Sequence, residues 1–144
     1  MKKIKIIDEE VKFEDINPYN RPVVSKTDKK GIIIYTNSVF RALSGYKKGE
    51  MLGKPHSIVR HPDMPKQVFA NMWKTILAGK PWNGIIKNLR KDGRYYWVDA
   101  YIEPIFKNHN IISFISVRRP VSEEMKKKYE QIYKEMREKE QKNH

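Results

Sequence analysis

The stretch from His56 to Trp97 limits what this chain can fold into more than any other part of it. It opens with a charged turn bracketed by prolines, Arg60-His61-Pro62-Asp63-Met64-Pro65. Val68, Phe69, Met72, Trp73, Ile76 and Leu77 then recur at three- and four-residue intervals, the spacing of one buried helical stripe. Asp63 or Met64 supplies the cap region, Pro65 sits in the first turn where its missing N–H costs nothing, and Gly79 closes the far end. Two apolar runs follow, Trp82 to Arg90 and Tyr95 to Phe106, joined by the strong hairpin signal Lys91-Asp92-Gly93-Arg94. A turn at Asn108-His109-Asn110 leads into a third run, Ile111 to Val117. A helix followed by a three-strand meander calls for an antiparallel sheet with helices packed on it.

The first half of the chain completes that sheet. Val23 to Lys26 reads as a strand, Asp28-Lys29-Lys30-Gly31 as a hairpin turn, and Ile32 to Tyr35 as its β-branched partner. Asn37 caps a short helix from Ser38 to Leu43 that ends at Gly45, and Lys48 to Leu52 suggests one more helical turn. The expected class is α+β, a five-stranded antiparallel sheet with short helices on one face. Residues 1–20 form a leading cap segment, helical or irregular. From Ser122 a single amphipathic helix carries Met125, Tyr129, Ile132, Tyr133 and Met136 on one stripe, with Ser122 as cap and Glu123 and Glu124 at the positive end of the dipole. That stripe can pack on the domain's own sheet or against a second copy.

Strand parity locates an interior polar group. Tyr96, Val98, Ala100 and Ile102 share the core face, and Ala100, the smallest, leaves room near the middle of the sheet. On the preceding strand Ile86, Asn88 and Arg90 share a face, so an inward Ile86 brings Asn88 with it. A buried amide left unpaired costs roughly 1–3 kcal/mol. Asn88 therefore bonds either nearby backbone or a ligand, and an amide that both donates and accepts suits the edge of a heteroaromatic ring.

Composition removes several classes. There are no cysteines among the 144 residues, which excludes disulfides, thiolate metal sites and cysteine nucleophiles and fits a reducing cytosol. No apolar run approaches the roughly 20 residues of a membrane span, so no direct insertion is expected. The net charge of +13 raises nucleic-acid binding. The excess is scattered as pairs such as Lys29-Lys30 and Arg118-Arg119, without a basic helix or zinc-finger spacing, so a solvated basic surface is expected and no nucleic-acid partner. His56, His61 and Asp63 do not have the spacing of a recognised metal site. No nucleophile–base pair or phosphate loop marks an enzyme.

Taken together, V-R-H-P-D-M-P at 59–65, F-A-N-M-W at 69–73 and P-W-N-G-I-I-K-N-L-R-K-D-G-R-Y-Y-W-V at 81–98 resemble the flavin-binding PAS domains of the Aer-type aerotaxis receptors. Y-T-N-S-V-F at 35–40, S-G-Y at 44–46, L-G-K-P-H at 52–56 and I-S-F-I-S-V-R-R at 112–119 continue the likeness. The resemblance implies a PAS domain over 21–120, non-covalent FAD, and redox- or oxygen-linked signalling. By the same resemblance Arg60, His61 and Asp63 match the turn that holds the flavin, Asn88 the strand asparagine facing the isoalloxazine, Trp73 and Trp82 aromatics bordering the pocket, and Asn37 the asparagine after the second strand. The residue chemistry agrees: Arg60 can neutralise a pyrophosphate with bidentate geometry, and Trp82 can stack on a flat ring.

The helix over 121–144 stands where full-length receptors of this type continue into membrane-spanning and coiled segments. The arrangement is similar to the stand-alone PAS proteins of split energy-taxis systems, the CetB type. That likeness implies a cytoplasmic protein recruited to the inner face of the membrane by a membrane-bound chemotaxis signalling chain, with a homodimer as a further option. The alternatives are a ligand-free PAS interaction module and a haem-binding PAS sensor with His56 or His61 as axial ligand.

Overall fold

The computed structural model describes residues 3–142. Five strands form one antiparallel sheet in the order β2-β1-β5-β4-β3, with β1 Val23–Asp28, β2 Ile33–Thr36, β3 Trp82–Leu89, β4 Tyr95–Lys107 and β5 Asn110–Arg119. The turns behave as their residues dictate. The Asp28 carboxylate accepts from the Lys30 and Ile32 amides and closes the first hairpin. Asn108 and His109 both adopt positive φ, the left-handed pair that a two-residue hairpin loop requires.

Between β2 and β3 lie α2 Ser38–Ser44, α3 Lys48–Met51, a 3-10 turn His56–Val59, and α4 Lys66–Leu77. They pack on one face of the sheet. Phe40, Leu43, Met51, Val59, Phe69, Met72 and Ile76 from this layer meet Val23, Val98, Ala100 and Tyr96 from the strands.

The other face is partly covered as well. The C-terminal helix α5, Glu123–Lys142, crosses the β3 end of the sheet. Its Tyr133 hydroxyl donates to the Ile85 carbonyl on the edge strand. Ile85, Lys87, Leu89 and Trp97, which parity places outward, are therefore all buried. Of the two options for the α5 stripe, packing on the domain's own sheet is the one adopted. The first residues join this layer: the Val11 amide donates to the Tyr95 carbonyl, the Tyr95 amide to Glu9, and the Ile7 amide to Gly93. Gly93 has φ +94, and a Cβ there would lie 2.0 Å from the Lys5 carbonyl oxygen, so the hairpin turn and the crossing of the leading segment both demand glycine. A short helix α1, Phe13–Ile16, then buries Phe13. Buried Lys126 ties the segment to α5 through Glu10 and Glu123, each at 2.8 Å.

One expected cap differs. Pro65 is the N-cap of α4 and makes no side-chain bond, and Asp63 turns away to Lys87. The free amides of Lys66 and Gln67 are instead taken by the two carboxylate oxygens of Glu140, at 3.1 and 2.9 Å. A proline cannot cap, so the acceptor comes from a helix 73 residues away, and its charge also suits the positive end of α4. Glu140→Ala is expected to cost about 1 kcal/mol, read as a drop in thermal midpoint that Glu140→Asp partly restores.

Candidate functional site

The inner face of the sheet is stocked with small side chains where a core would want large ones. In register, Ser25 pairs with Ser116, and Ala100 pairs with both Arg118 and Gly84. Nothing on the strands fills the space beneath α4. The result is a cavity of about 290 Å³, near the lower end of ligand pockets. Phe69, Met72, Trp73 and Ile76 of α4 form one wall, and His56, Val59 and Arg60 another. Ile86, Asn88 and Phe114 close the sheet side.

Among the polar groups on the lining, one cluster is built around Arg118. Arg118 is buried, and its Nη2 donates to Ser25 Oγ and to His56 Nε2, both at 2.8 Å. Ser25 Oγ lies 3.0 Å from the same nitrogen. Because Nε2 accepts, the His56 proton belongs on Nδ1. Burial, then the Arg118 charge, pushes His56 down to about 3, so it is neutral at physiological pH. Phe40 stacks on the imidazole at 5.7 Å and lies 4.1 Å beneath the guanidinium. Burial also lowers Arg118 to about 10, which leaves it charged.

No carboxylate among the described residues answers that charge. Arg118 Nη1 is buried without a hydrogen-bond partner, and so is the Tyr96 hydroxyl, whose ionisation burial pushes upward. The Asn88 amide sits beside that phenol on the paired strand without the geometry of a formed bond. It lines the cavity and makes no side-chain hydrogen bond among the described residues. Native interiors pair their buried polar groups. An unpaired guanidinium N–H, a free amide and a neutral imidazole around one cavity define a site for a flat, electron-rich or anionic group. Exposed Arg60, also on the lining, rests its guanidinium 3.8 Å above the Phe69 ring and has no acidic partner among the described residues.

Of the seven residues expected at the site, Arg60, Trp73 and Asn88 line this cavity. The other four lie elsewhere. Asn37 spends its side chain on the backbone: Oδ1 accepts from Val24 and Phe40 amides, and Nδ2 donates to the Pro22 carbonyl. His61 Nδ1 accepts from the Asp63 amide at 3.0 Å. Asp63 binds the buried Lys87 ammonium at 3.0 Å, and Glu130 of α5 approaches it at 3.4 Å. Burial pushes the Asp63 carboxyl up, but Lys87 outweighs this and holds it below its usual range. Trp82 folds its ring over Gly84, donates to Asn71 at 3.1 Å, and faces a groove between α4 and α5. His61 and Asp63 thus anchor the turn that carries Arg60, from its far side.

Ser25 and Arg118 are not among the residues the sequence singles out, and it offers His56 only as a metal or haem ligand. The signal for Arg118 was available: Phe114, Ser116 and Arg118 alternate inward on β5 by the parity that exposes Asn88.

Two neutral histidines, His61 buried and His56 half-buried, make the fold acid-sensitive. His56 titrates near 3, and His61, lowered by burial and then by Lys87, near 4, against about 6.5 unfolded. Below pH 6.5 the unfolded chain takes up the extra protons, so stability falls as pH drops from about 6.5 toward 4. At about pH 5 His56 alone is expected to remove about 2 kcal/mol. Thermal melts between pH 7 and 5 read this, and His56→Gln should flatten the slope.

The chain matches the PAS-fold family over residues 33–118 and belongs to it. It is 43% identical over 112 residues to the aerotaxis receptor of Escherichia coli K12, covering 78% of this chain and 22% of the receptor. It is 30% identical over 100 residues to a nitrogen fixation regulatory protein of Klebsiella oxytoca, covering 69% of this chain and 20% of that one. The chain therefore spans about a fifth of the length of these relatives. Among solved structures, the light-state LOV domain of the blue-light photoreceptor Aureochrome1 superposes with a TM-score of 0.68 at 19% identity, over 87% of this chain and 97% of that one. A light-oxygen-voltage domain from work on a flavin analogue gives 0.65 at 23% identity, over 86% and 90%. These share the fold. No described helix is long and apolar enough to cross a membrane.

Proposed function

We propose that this PAS domain is a cytoplasmic FAD-binding redox or oxygen sensor that signals to a membrane-bound chemotaxis chain. The observation that carries the reading is Arg118: a buried guanidinium with a free Nη1 and no carboxylate, set beside the unpaired Asn88 amide in one cavity. The pyrimidine edge of a flavin offers both acceptors and a donor, and it gains negative charge on reduction. Asn88 would bond that edge, and Arg118 would favour the charged form. A cavity of about 290 Å³ takes the ring system rather than a whole dinucleotide, so the phosphates would leave past Arg60, whose unpaired guanidinium suits them. Flavin supplies reversible electron transfer; the chain binds and orients the ring and biases its charge.

A sensor must also be read. The Arg60 turn is held by Lys87 and α5, and α4 is capped by α5, so a change in hydrogen bonding at the cavity reaches the surface through elements already in contact. Useful coupling requires the chemotaxis partner to prefer one redox state by on the order of 1–3 kcal/mol.

The test is the absorption spectrum of the purified protein before and after dithionite, with the released cofactor identified by chromatography. Flavin bands that bleach, with FAD in the extract, are expected. A folded, colourless protein that takes up no FAD on refolding would leave a ligand-free interaction module, and an intense Soret band would indicate haem.

A further inference from the structure

The sheet edge opposite α5 gathers charge that the sequence spreads out. Residues 21–62 carry nine Lys and Arg against two acids, Asp28 and Glu50, a net +7 of the chain's +13. Both acids are engaged: Asp28 closes the first hairpin, and Glu50 binds Lys91 and the Lys47 amide. β2 is the edge strand, and five of the lysines stand around it. Lys29 and Lys30 lie on the hairpin tip, and Lys26 is paired with Tyr35. Lys54 runs along the free edge, its carbonyl accepting from the Ile33 amide at 2.8 Å. Lys48 opens α3, one turn before Leu52. None of the five makes an ion pair among the described residues, and all but Lys26 are exposed.

Apolar groups stand among these charges. The register between β1 and β2 slips by one residue, with Lys26 opposite Tyr35 but Thr27 opposite Ile33, so Ile34 is a bulge residue. A bulge re-aims its side chain out of the strict alternation. Ile34 is 51% exposed and Tyr35 beside it 45%. The Gly53 amide donates to the Ile33 carbonyl, which brings the neighbouring Leu52, 37% exposed, to the same edge. Exposed aliphatic side chains ringed by ammonium groups match the surface of an anionic bilayer, where apolar groups enter the headgroup boundary and lysines meet lipid phosphates. A single-stranded nucleic acid asks for a basic groove with several aromatic platforms, and this edge offers Tyr35 alone. We propose that the β2 edge adsorbs directly on an anionic lipid surface. Ile34, Tyr35 and Leu52 enter the headgroup layer, and the five lysines bind the phosphates around them. Lys30 and Pro55 also line the cavity, so adsorption sets the cavity beside the bilayer.

The inference depends neither on the cofactor nor on a protein partner. Its test is sedimentation of the full chain with vesicles of phosphatidylcholine alone and of phosphatidylcholine mixed with phosphatidylglycerol. Binding is expected only to the mixed vesicles, and it should fall steeply as salt is raised. A lysine near an anionic surface contributes about fivefold, so Lys29→Gln with Lys54→Gln should weaken binding about tenfold or more. Lys127→Gln with Lys134→Gln removes the same net charge from α5, and should weaken it less than about twofold, because charges beyond a Debye length are screened. Ile34→Ser should weaken it several-fold with the charge unchanged. Unchanged thermal melts would show that these exposed substitutions spare the fold. No binding to the mixed vesicles, an equal loss from the α5 pair, or indifference to Ile34→Ser would overturn the proposal. RNA binding abolished by the Lys29 and Lys54 exchanges, without vesicle binding, would give the edge to nucleic acid instead.

Discussion

Arg118→Met is expected to make the cofactor-free protein more stable, by about 1–3 kcal/mol, while weakening flavin binding about tenfold or more. The two signs come from one cause. A buried charge without a counter-ion is costly, and replacing such groups with apolar residues of similar volume is often neutral or stabilising. Against that gain stand the bonds from Nη2 to Ser25 and His56 and the contact with Phe40. These are a modest loss, because Ser25 and His56 still have each other at 3.0 Å. With flavin present the balance reverses, since the guanidinium then has its partner. The variant should also shift the reduction potential downward, because removing a positive charge disfavours the electron-rich form. Denaturant unfolding of the apo protein and titration with FAD read the two effects separately. A variant that lost stability without flavin would make Arg118 a purely structural arginine.

Tyr133→Ala is expected to cost about 3–5 kcal/mol, the range for losing a large buried aromatic. Tyr133 is 5% exposed, belongs to the main core cluster, and donates its hydroxyl to the Ile85 carbonyl on the edge strand. Its ring also packs on Tyr129 at 5.4 Å. Tyr133→Phe separates the parts: the ring stays, the bond goes, and about 1 kcal/mol should be lost. The alanine variant would loosen α5 and with it the Glu140 cap on α4 and the Glu130 contact to Lys87. Fluorescence of Trp97, which is 4% exposed, should therefore shift to the red in the native state. A loss under 1 kcal/mol for Tyr133→Ala would mean that α5 is a passenger.

The strands, the three hairpins, the Asn37 cap and the α4 stripe are legible because their signals are local: alternation, turn chemistry and helical period act over a few residues. Asn88 was found the same way, since a polar group at an inward position stands out against strict parity. Arg118 satisfies that parity test too, but a basic residue near a strand end reads as a surface charge. His61 and Asp63 illustrate the opposite problem. Sequence adjacency to Arg60 grouped them at one site, but the turn sends alternate side chains to opposite sides, one toward the cavity and two toward Lys87 and α5.

By itself the sequence determined the order and type of the elements, the antiparallel sheet and the inward face of each strand, because hydrophobic period and turn residues are local. Only the tertiary structure decided that α5 lies on the sheet's own edge and caps α4, and that Arg118, His56 and Ser25 meet beside Asn88. Those contacts join residues separated by 31 to 93 positions. Their existence depends on which faces remain uncovered once the sheet has formed, and no local pattern encodes that.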